Sequence, residues 1–417
     1  MPAFELPNCE LGVATAATQI EGGQLDTNWH RWAAAGRIKD GSSPARACDH
    51  WNRVFEDIDL LVELGIKHYR MGIEWARVEP DPGQFDRDAI QHYRDEVAAL
   101  RAAGIAPLVT IHHFNLPGWL VDSGGWLGPD IRVAFGRLTR LLVTELGSWV
   151  EEWIPINEPN IYATHGFLYG EWPPGERSAI KALRVMQVEA EVHIAAYQMI
   201  HALQPQAKVG SASHLRAFAP ADARNPLHRL ASAGGEYLFQ RALLKAMNTG
   251  RFDPPFVRPS GVVPGRYYDF QGVNYYSRST VRSIGDGVAD GVPVNDLGWE
   301  IYPEGIIEVC RWIHDAYPSP IYITENGTCD NSESFRSRYL YDHLSQIAAS
   351  ELPIQRYYHW CFTDNWEWAE GEVPKFGLVG LDYQTQERTI KDSGRFFADI
   401  IANSGVTQAA FERWVAD

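Results

Sequence analysis

The sequence predicts an α/β protein, built as a single (β/α)8 barrel of the TIM type with its active site at the C-terminal ends of the strands. Two observations carry this prediction. Short apolar runs alternate with long amphipathic stretches, which is typical of parallel strands joined by helical crossovers. The alternation repeats eight times, the number that closes a barrel. The eight runs are 11–17, 68–75, 105–113, 153–157, 207–213, 269–276, 320–326 and 355–360.

The stretches between the runs show helical periodicity and helical end signals. In 51–65 the apolar residues Val54, Ile58, Leu61 and Val62 fall at helical spacing, and Gly65 supplies the C-terminal cap. The stretch 88–104 closes in the same way on a glycine. Both stretches are therefore predicted to be helices that pack against the barrel.

One domain over 1–417 is predicted, because no segment rich in Pro, Ser or charge divides the chain. The stretch Ser283–Gly298 is rich in Gly and Asp and follows the sixth run. It is predicted to be a long surface loop near the barrel mouth. A disordered linker is the competing interpretation, and its place inside the barrel repeat argues against that.

Charge and composition exclude several classes of partner. The formal net charge of −16 argues against nucleic acid or an anionic membrane as partner. We see no secretory signal and no apolar run of membrane-spanning length. The five cysteines are scattered without metal-ligand spacing, which fits a reducing cytoplasm. No metal, no other cofactor and no phosphate-binding loop is predicted; a homo-oligomer is left open.

Polar residues follow the apolar runs where barrel enzymes place their active sites. Carboxylates, amides, an imidazole, a guanidinium and indoles together suit the binding of a polyhydroxylated ring and the cleavage of an acetal. The residues are Gln19, Glu21, Arg70, Glu74, His112, His113, Asn157, Glu158, Asn274, Tyr275, Tyr276, Glu325, Trp360, Glu367 and Trp368.

Two of these carboxylates, Glu158 and Glu325, end the fourth and seventh runs and are predicted to face each other across the mouth. Glycosidic bonds break with one carboxyl group protonating the leaving oxygen while the other attacks the anomeric carbon or activates water. A separation of about 5–5.5 Å would indicate retention of configuration, and about 6.5–9.5 Å inversion. The sequence does not give that distance.

Seven motifs in order make the resemblance to a known family specific. They are ATAATQIEGG, CDHWNRVFEDIDLLVELGIKHYRMGIEWARVEP, TIHHFNLPGWL, WIPINEPN, GVNYYSR, YITENG and DNWEWAEGEVPKFGLVGLDY. They span nearly the whole chain. The sequence resembles glycoside hydrolase family 1, the retaining β-glucosidase and β-galactosidase family.

The resemblance implies a role for each matching residue. Glu158 corresponds to the general acid/base and Glu325 to the nucleophile, whose negative charge is expected to raise the pKa of Glu158. Asn157 corresponds to the residue that binds the sugar 2-hydroxyl, and Arg70 with Tyr276 to the pair that orients the ionised nucleophile. The residues expected to bind the sugar or support that shell are Gln19, His113, Asn274, Trp360, Glu367, Trp368 and Phe376. His112, Glu74 and Glu79 are interpreted as structural, and Glu21 is left unassigned.

The chain departs from the family pattern at a few positions. Phe114 and Asn115 stand where Trp and Asp commonly follow the sugar-binding histidine, and Cys361 stands where Ser is usual. Asn160 follows the NEP motif. None of these removes a catalytic group, but they leave the preferred sugar and the outer pocket open. The chain is also somewhat short for the family, which suggests trimmed loops.

The predicted activity is that of a retaining exo-β-glycosidase, foremost a β-glucosidase with β-galactosidase or β-fucosidase activity, acting on small β-glycosides or oligosaccharides. A 6-phospho-β-glycosidase ranks low because Glu367 and Glu370 would repel a phosphate. A thioglucosidase typically lacks the acid, and an inactive sugar-binding protein usually lacks one carboxylate; both are present here. A transglycosidase is left open, as are the natural aglycone and the glucose tolerance.

Overall fold

The computed structural model describes residues 3–283 and 286–416 of the chain. At its centre is a closed barrel of eight parallel strands, each paired with its sequence neighbours and the eighth with the first. The strands are β1 (Glu10–Ala14), β2 (His68–Gly72), β3 (Ala106–His112), β4 (Glu152–Ile156), β5 (Lys208–His214), β6 (Phe270–Asn274), β7 (Ile321–Asn326) and β8 (Ile354–Trp360). Each overlaps one predicted apolar run, so the predicted fold class is confirmed.

A helix follows each strand and packs on the outside of the barrel. These helices are α1 (His50–Glu63), α2 (Arg87–Ala102), α3 (Ile131–Leu146), α4 (Ala179–Leu203), α5 (Ala242–Thr249), α6 (Gly305–Ala316), α7 (Arg336–Ala348) and α8 (Asp392–Asn403). Shorter α-helices cover Ala17–Ile20, Asn28–Ala34, Trp75–Val78, Gly118–Asp122, Pro159–Ala163, Pro226–Glu236 and Gln408–Trp414. Single turns of other helix types cover Gly125–Leu127, Thr164–Tyr169, Tyr237–Arg241 and Trp368–Glu370.

The apolar face predicted for α1 is largely confirmed. Val54, Ile58 and Leu61 are buried, and Gly65 ends the helix at a φ of +70°. The prediction is wrong at Val62, which is 52% exposed. Successive helical residues are about 100° apart, so the neighbour of a central core residue turns toward solvent.

The register of the barrel brings the polar strand ends to one level. His112 on β3 lies opposite Ile156 on β4, and β5 and β6 end together with His214 opposite Asn274. Glu325 on β7 lies opposite that same asparagine. Side chains that are far apart in sequence therefore meet at one rim.

The ends of β7 and β8 approach closely at Gly327. A Cβ atom at this position would lie 1.9 Å from the carbonyl oxygen of Trp360. Only glycine allows this backbone approach, which explains the glycine directly after Thr-Glu-Asn. It keeps Glu325 and Trp360 on adjoining strand ends.

In residues 3–283 and 286–416, short strands form three small sheets outside the barrel. Phe4–Glu5 pairs with Gly405–Val406, and Val379–Leu381 with Arg388–Ile390. Arg278–Val281 pairs with Ala217–Pro220 and with Asp286–Gly287. Within the described ranges, no helix is long and apolar enough to span a membrane.

The stretch 283–298, predicted to be a long surface loop near the mouth, contains one short strand among its described residues. Residues 284 and 285 lie outside the described part of the chain. The position near the mouth is confirmed, because Leu297 lines the central cavity. The short strand, Asp286–Gly287, adds to a small sheet of three strands.

Candidate active site

A cavity of about 470 Å3 lies over the C-terminal ends of the barrel strands. Eight of the residues predicted from the sequence line it. They are His113, Glu158, Tyr276, Glu325, Trp360, Glu367, Trp368 and Phe376. The remaining four, Gln19, Arg70, Asn157 and Asn274, are fully buried and hydrogen-bond to residues that form the cavity wall.

Glu325 ends β7 and is held at both carboxylate oxygens. Arg70 Nη1 donates to Oε1 at 2.5 Å, and the Tyr276 hydroxyl donates to Oε2 at 2.6 Å. Arg70 itself comes from β2, where its Nε also donates to Thr110 Oγ1 at 3.0 Å. A permanent cation and a hydroxyl on one carboxylate fix its orientation and favour its ionised form.

Glu158 follows β4 and has a different set of partners. Its Oε1 accepts a hydrogen bond from Asn274 Nδ2 at 2.8 Å and lies 3.0 Å from Nδ1 of His214. No guanidinium or ammonium group bonds it within the described residues. Its nearest hydrogen-bond partners are therefore an amide and an imidazole, which offset less charge than an arginine does.

Asn157 connects the two carboxyl groups through hydrogen bonds. Its Oδ1 accepts from Arg70 Nη2 at 2.6 Å and from Asn274 Nδ2 at 3.1 Å. Arg70 in turn bonds Glu325, and Asn274 bonds Glu158. A displacement of any one of these five side chains would disturb both carboxyl groups.

Burial is the largest influence on the protonation of both carboxyl groups. It raises the pKa of Glu158 to about 7, against the hydrogen bond from Asn274 and the charges of Arg70 and Arg216. It also raises the pKa of Glu325 to about 7, helped by the charge of Glu158 and opposed by Arg70 and the Tyr276 hydrogen bond.

When only one of the two carboxyl groups is ionised, the proton is on Glu158. Arg70 and Tyr276 bond Glu325 directly, so Glu325 ionises first and Glu158 keeps the proton. The expectation that the charge of Glu325 would be the main cause of the raised pKa of Glu158 is not met. Desolvation is the main cause, because the side chain sits almost entirely out of water.

Three residues of the cavity wall other than glycine have left-handed backbone angles. The φ angles are +40° at Glu158, +67° at Phe114 and +50° at Trp368. Such angles cost about 1–3 kcal/mol each in residues other than glycine, and they concentrate at functional sites. The surrounding packing therefore holds these side chains in directions that local preference disfavours.

Glu367 and Gln19 form a polar pair at one end of the cavity. Gln19 Nε2 donates to Glu367 Oε2 at 3.0 Å, and also to the side chain of Asn365 and the carbonyl oxygen of Trp366. Gln19 Oε1 is buried without a hydrogen-bond partner. Burial raises the pKa of Glu367 to about 8. A sugar hydroxyl would satisfy the unpaired amide oxygen.

Aromatic rings form another part of the cavity wall. The His113 ring stacks with Trp360 at 28° and with Trp368 at 23°, both at a centroid distance of 5.8 Å. His113 Nε2 lies 3.0 Å from the amide nitrogen of Asn157. Burial lowers the pKa of His113 well below its usual range, so its ring is neutral. Flat apolar faces of this kind suit the C–H face of a sugar ring.

The cavity rim carries charges of both signs. Glu370 is bonded to Lys39 at 2.6 Å, and the guanidinium of Arg37 lies over the Trp32 ring. The argument that Glu370 would repel a phosphate is therefore weakened, because a lysine offsets its charge. Glu367 does not restore that argument, because burial raises its pKa to about 8 and the group is mostly protonated at pH 7.

The residues interpreted as structural are engaged outside the cavity. Glu74 accepts hydrogen bonds from Thr18 Oγ1 and Asn115 Nδ2, and Glu79 from Trp75 Nε1. The His112 ring packs edge-on against Trp126. Glu21, left unassigned from the sequence, accepts from Arg77 and Tyr93 at 2.7 and 2.6 Å and does not line the cavity.

The departures from the family pattern are accommodated by local bonds. Asn115 Nδ2 bonds Glu74, as described above, and Asn160 Nδ2 donates to the carbonyl oxygen of His214 at 2.8 Å. Cys361 Sγ accepts from Asn365 Nδ2 at 3.1 Å and donates to the Thr363 carbonyl oxygen at 3.0 Å. Cys361 thus makes the hydrogen bonds that a serine hydroxyl could make.

Sequence reasoning missed several residues that line the cavity, and four of them bear on its chemistry. His214 and Arg216 line the cavity beside Glu158, and Trp172 and Trp299 extend its aromatic wall. The fifth predicted apolar run ends at Ser213, one residue before His214. Extending the strand by one residue would have revealed it. The other three lie in loops, where no periodicity marks them.

No group of three or more metal-binding side chains occurs among the residues that the structure describes. The arrangement instead offers a neutral carboxylic acid, an ionised carboxylate, and a pocket lined by both aromatic and polar side chains. Chemically, this can protonate a leaving oxygen and attack an adjacent electrophilic carbon.

Comparison with known proteins gives consistent matches over nearly the full chain. The sequence is 33% identical to beta-glucosidase A of Thermotoga maritima, covering 95% of this chain and 97% of that protein. It is 28% identical to a galactolipid galactosyltransferase of Arabidopsis thaliana, over 86% of this chain and 58% of that protein.

Solved structures agree with these matches. A Thermotoga maritima beta-glucosidase bound to glucoimidazole superposes with a TM-score of 0.90 at 31% identity, covering 98% of this chain and 100% of that one. A beta-glycosidase from Pyrococcus horikoshii superposes with a TM-score of 0.92 at 31% identity, covering 100% and 99%.

The family model of glycosyl hydrolase family 1 matches residues 8–256 and 266–406. These ranges include all eight barrel strands and both carboxyl groups at the centre of the cavity. The chain therefore belongs to glycosyl hydrolase family 1.

Proposed function

We propose that the protein is a retaining exo-β-glycosidase that removes terminal non-reducing β-D-glucosyl residues, and also accepts β-D-galactosyl or β-D-fucosyl residues. The observation that carries this proposal is the pair of buried carboxyl groups on one cavity. Glu325 is bonded by a cation and a hydroxyl, whereas Glu158 is bonded by an amide and an imidazole. Opposed environments of this kind separate an acid from a nucleophile.

In the first step, Glu158 gives its proton to the glycosidic oxygen as the bond to the anomeric carbon breaks. The bonding electron pair stays with the leaving oxygen, and a carboxylate oxygen of Glu325 forms an ester with the anomeric carbon. Arg70 and Tyr276 hold Glu325 for this attack. The ester removes the negative charge of Glu325.

In the second step, the carboxylate of Glu158 takes a proton from water while the water oxygen attacks the anomeric carbon. The ester bond breaks and its electrons return to Glu325. Loss of the charge on Glu325 during the ester stage favours the ionised form of Glu158, which is the form that a base requires. Two inversions give net retention.

Sugar recognition is proposed to use both the polar side chains and the aromatic rings of the cavity. Glu367 and the unpaired Oε1 of Gln19 would bind adjacent hydroxyls, and Trp360 and Trp368 would cover the apolar face. Asn157, between Arg70 and Asn274, is proposed to meet the 2-hydroxyl, with His113 beside it. The glucoimidazole complex of the Thermotoga maritima relative supports a glucosyl group as the first choice.

We further propose that the whole chain, 1–417, is one catalytic domain that needs no cofactor. The family match on both sides of a short gap supports this, because it runs from the first barrel strand through α8. The five described cysteines are all buried and free, which supports a reducing cytoplasmic location.

Azide rescue tests the two glutamate roles. Glu325→Gly should lose roughly four or more orders of magnitude in turnover, because no ester can form. Azide should restore cleavage of an activated aryl β-glucoside and give the α-glucosyl azide, since it attacks from the vacated nucleophile side. With Glu158→Gly, azide should give the β-glucosyl azide, because the ester still forms first.

Glu370→Gly is the matched control, because Glu370 lies on the same cavity but at its rim, paired with Lys39. It should retain turnover within a few-fold and form no glucosyl azide. Near-normal turnover of Glu325→Gly, or an inverted first-formed sugar from the wild type, would refute the retaining assignment.

Transfer to an alcohol is the second candidate function. It would use the same two glutamates and differ only in which acceptor reaches the ester. The galactosyltransferase relative favours keeping this candidate. Product analysis in the presence of an added alcohol separates the two: free glucose indicates hydrolysis, and a new alkyl glucoside indicates transfer.

A 6-phospho-β-glycosidase and an inactive sugar-binding protein are weaker candidates. Glu367 faces the cavity without a cationic partner bonded to it among the described residues, which disfavours a phosphate. Both carboxyl groups needed for turnover are in place, which disfavours an inactive protein. A panel of aryl β-glycosides that vary only in the sugar, 6-phosphoglucose included, decides among these alternatives.

A further inference from the structure

His214, the last residue of β5, lies against the proposed acid/base. Its Nδ1 is 3.0 Å from Glu158 Oε1, and its Nε2 accepts a hydrogen bond of 3.2 Å from Arg216 Nε. The ring is buried and stacks at 18° on the ring of Tyr276, whose hydroxyl bonds Glu325. His214 therefore contacts Glu158 directly and is connected to Glu325 through Tyr276.

The arginine determines which ring nitrogen of His214 carries the proton. An arginine Nε–H donates and never accepts, so His214 Nε2 must be the accepting, unprotonated nitrogen. Burial and the charge of Arg216 hold the pKa of His214 well below its usual range, so the ring carries one proton only. That proton is on Nδ1, which donates to Glu158 Oε1.

This assignment decides which oxygen of Glu158 is the acid. Oε1 receives two hydrogen bonds, one from His214 Nδ1 and one from Asn274 Nδ2. Oε2 has no hydrogen-bond partner among the residues that the structure describes. An oxygen with two donors directed at it is a poor site for a proton, so the proton of the neutral acid is on Oε2.

We propose that Arg216 and His214 form a hydrogen-bonded relay to Glu158 through which no proton passes. The relay confines the transferable proton of Glu158 to Oε2 and stabilises the Glu158 carboxylate when it acts as a base. This rests on the proposed function, in which Glu158 is the acid/base. His214 is a positioning residue: it keeps its Nδ1 proton throughout. In each step the proton moves only between Glu158 Oε2 and the leaving oxygen or the attacking water.

Other charged groups also face this relay. Glu158 is influenced by Arg70 from β2 and by Arg216. His214 is influenced by Glu325 from β7, and His165, after β4, is influenced by His214. Burial lowers the pKa of His165 to about 4. Neither histidine therefore titrates near pH 7, and changes in the alkaline limb report on Glu158.

Removal of the His214 donor tests the relay through the pH profile of kcat/KM on an aryl β-glucoside. His214→Phe keeps a ring against Tyr276 but removes the donor, and His214→Ala removes both. Each should move the alkaline limb upward by about one pH unit, because the carboxylate loses one of two donors. His214→Asn, whose Nδ2 can replace Nδ1, should return the limb to within about 0.3 pH unit of the wild type.

A second readout follows the base step directly. With a dinitrophenyl glucoside the leaving group needs no proton, so the second step limits kcat. His214→Phe should lower this kcat about tenfold, because the base is less well held. His193→Ala is the matched control: His193 is also a buried histidine, in α4, but bonds the carbonyl oxygen of Tyr267 and does not line the cavity. Its alkaline limb should not move.

The outcomes separate this proposal from the proposed function. If Glu158→Gln abolishes the alkaline limb while both His214→Phe and His214→Ala leave it in place, the relay is refuted and the acid/base role stands. If Glu158→Gln keeps a wild-type limb, the acid/base role itself is wrong. Should His214→Ala fail to fold, the comparison of the Phe and Asn variants decides by the same criterion.

Discussion

Replacement of Glu158 by Gln should stabilise the protein at alkaline pH, although it removes the proposed acid. Burial raises the pKa of this carboxyl group from its ordinary 4.5 to about 7 in the folded state. A carboxyl group with a raised folded pKa binds its proton more tightly in the native state. Its favourable contribution is complete below pH 4.5 and is lost as the pH rises through about 7.

The size of the effect follows from the difference between the folded and unfolded pKa values of Glu158. A pKa difference of one corresponds to about 1.4 kcal/mol, so ionisation of Glu158 at pH 8 costs the folded state about 3 kcal/mol. At pH 5 the same group costs less than about 1 kcal/mol, because most of it is still protonated in the native state. A glutamine of the same shape carries no charge and avoids this pH-dependent cost.

Thermal unfolding at the two pH values measures the difference. An unfolding entropy of about 2.1 cal/mol/K per residue converts a gain of about 2.5 kcal/mol into a rise of about 3 °C in Tm for a chain of this length. The Tm of Glu158→Gln minus that of the wild type should therefore be about 3 °C larger at pH 8 than at pH 5. The same difference for Glu63→Gln, which changes an exposed residue, should be equal at both pH values. A Glu158→Gln difference that is equal at both pH values would refute the reasoning.

The remaining predictions concern Arg70, Glu367 and the cysteines. Arg70→Met should lower kcat/KM at pH 7 at least about 100-fold and move the acid limb upward, because Glu325 loses the cation bonded to it; an unmoved acid limb in the pH profile would contradict this. Glu367→Ala should weaken glucoside and galactoside cleavage alike by about 10²–10⁴-fold, because Gln19 and the sugar hydroxyls lose a shared partner; steady-state kinetics showing a wild-type preference for 6-phosphoglucosides would overturn it. The five cysteines should not react with a thiol reagent in the folded protein, since all are buried and burial raises the pKa of Cys9 and Cys329 to about 12; rapid labelling before unfolding, followed by absorbance, would show the burial to be wrong.

The barrel was predictable from the sequence because its signals are local. A strand buried on both faces reads as a short apolar run, and a crossover helix reads as a 3.6-residue repeat ended by a glycine. These signals placed all eight barrel strands to within a few residues. The error at Val62 shows the limit: spacing alone does not say which edge of a helical face meets the barrel.

The convergence of Glu158 and Glu325 was also predictable, because every strand of a parallel barrel ends at the same rim. That burial, and not the charge of Glu325, is the main cause of the raised pKa of Glu158 was not predictable. The burial of Glu158 and the pairing of Lys39 with Glu370 depend on how loops from different strands pack together. No pattern along the chain encodes that packing.

The sequence by itself determined the family, the strand order and the carboxyl groups that face the mouth, because these follow from residues close together or from the rules of barrel closure. Only the tertiary structure decided that Arg216 bonds His214, that His214 bonds Glu158, and that Trp299 packs against Tyr276. The physical reason is distance in the chain. His214 and Glu158 are 56 residues apart, and their 3.0 Å contact exists only where β4 and β5 lie side by side in the barrel.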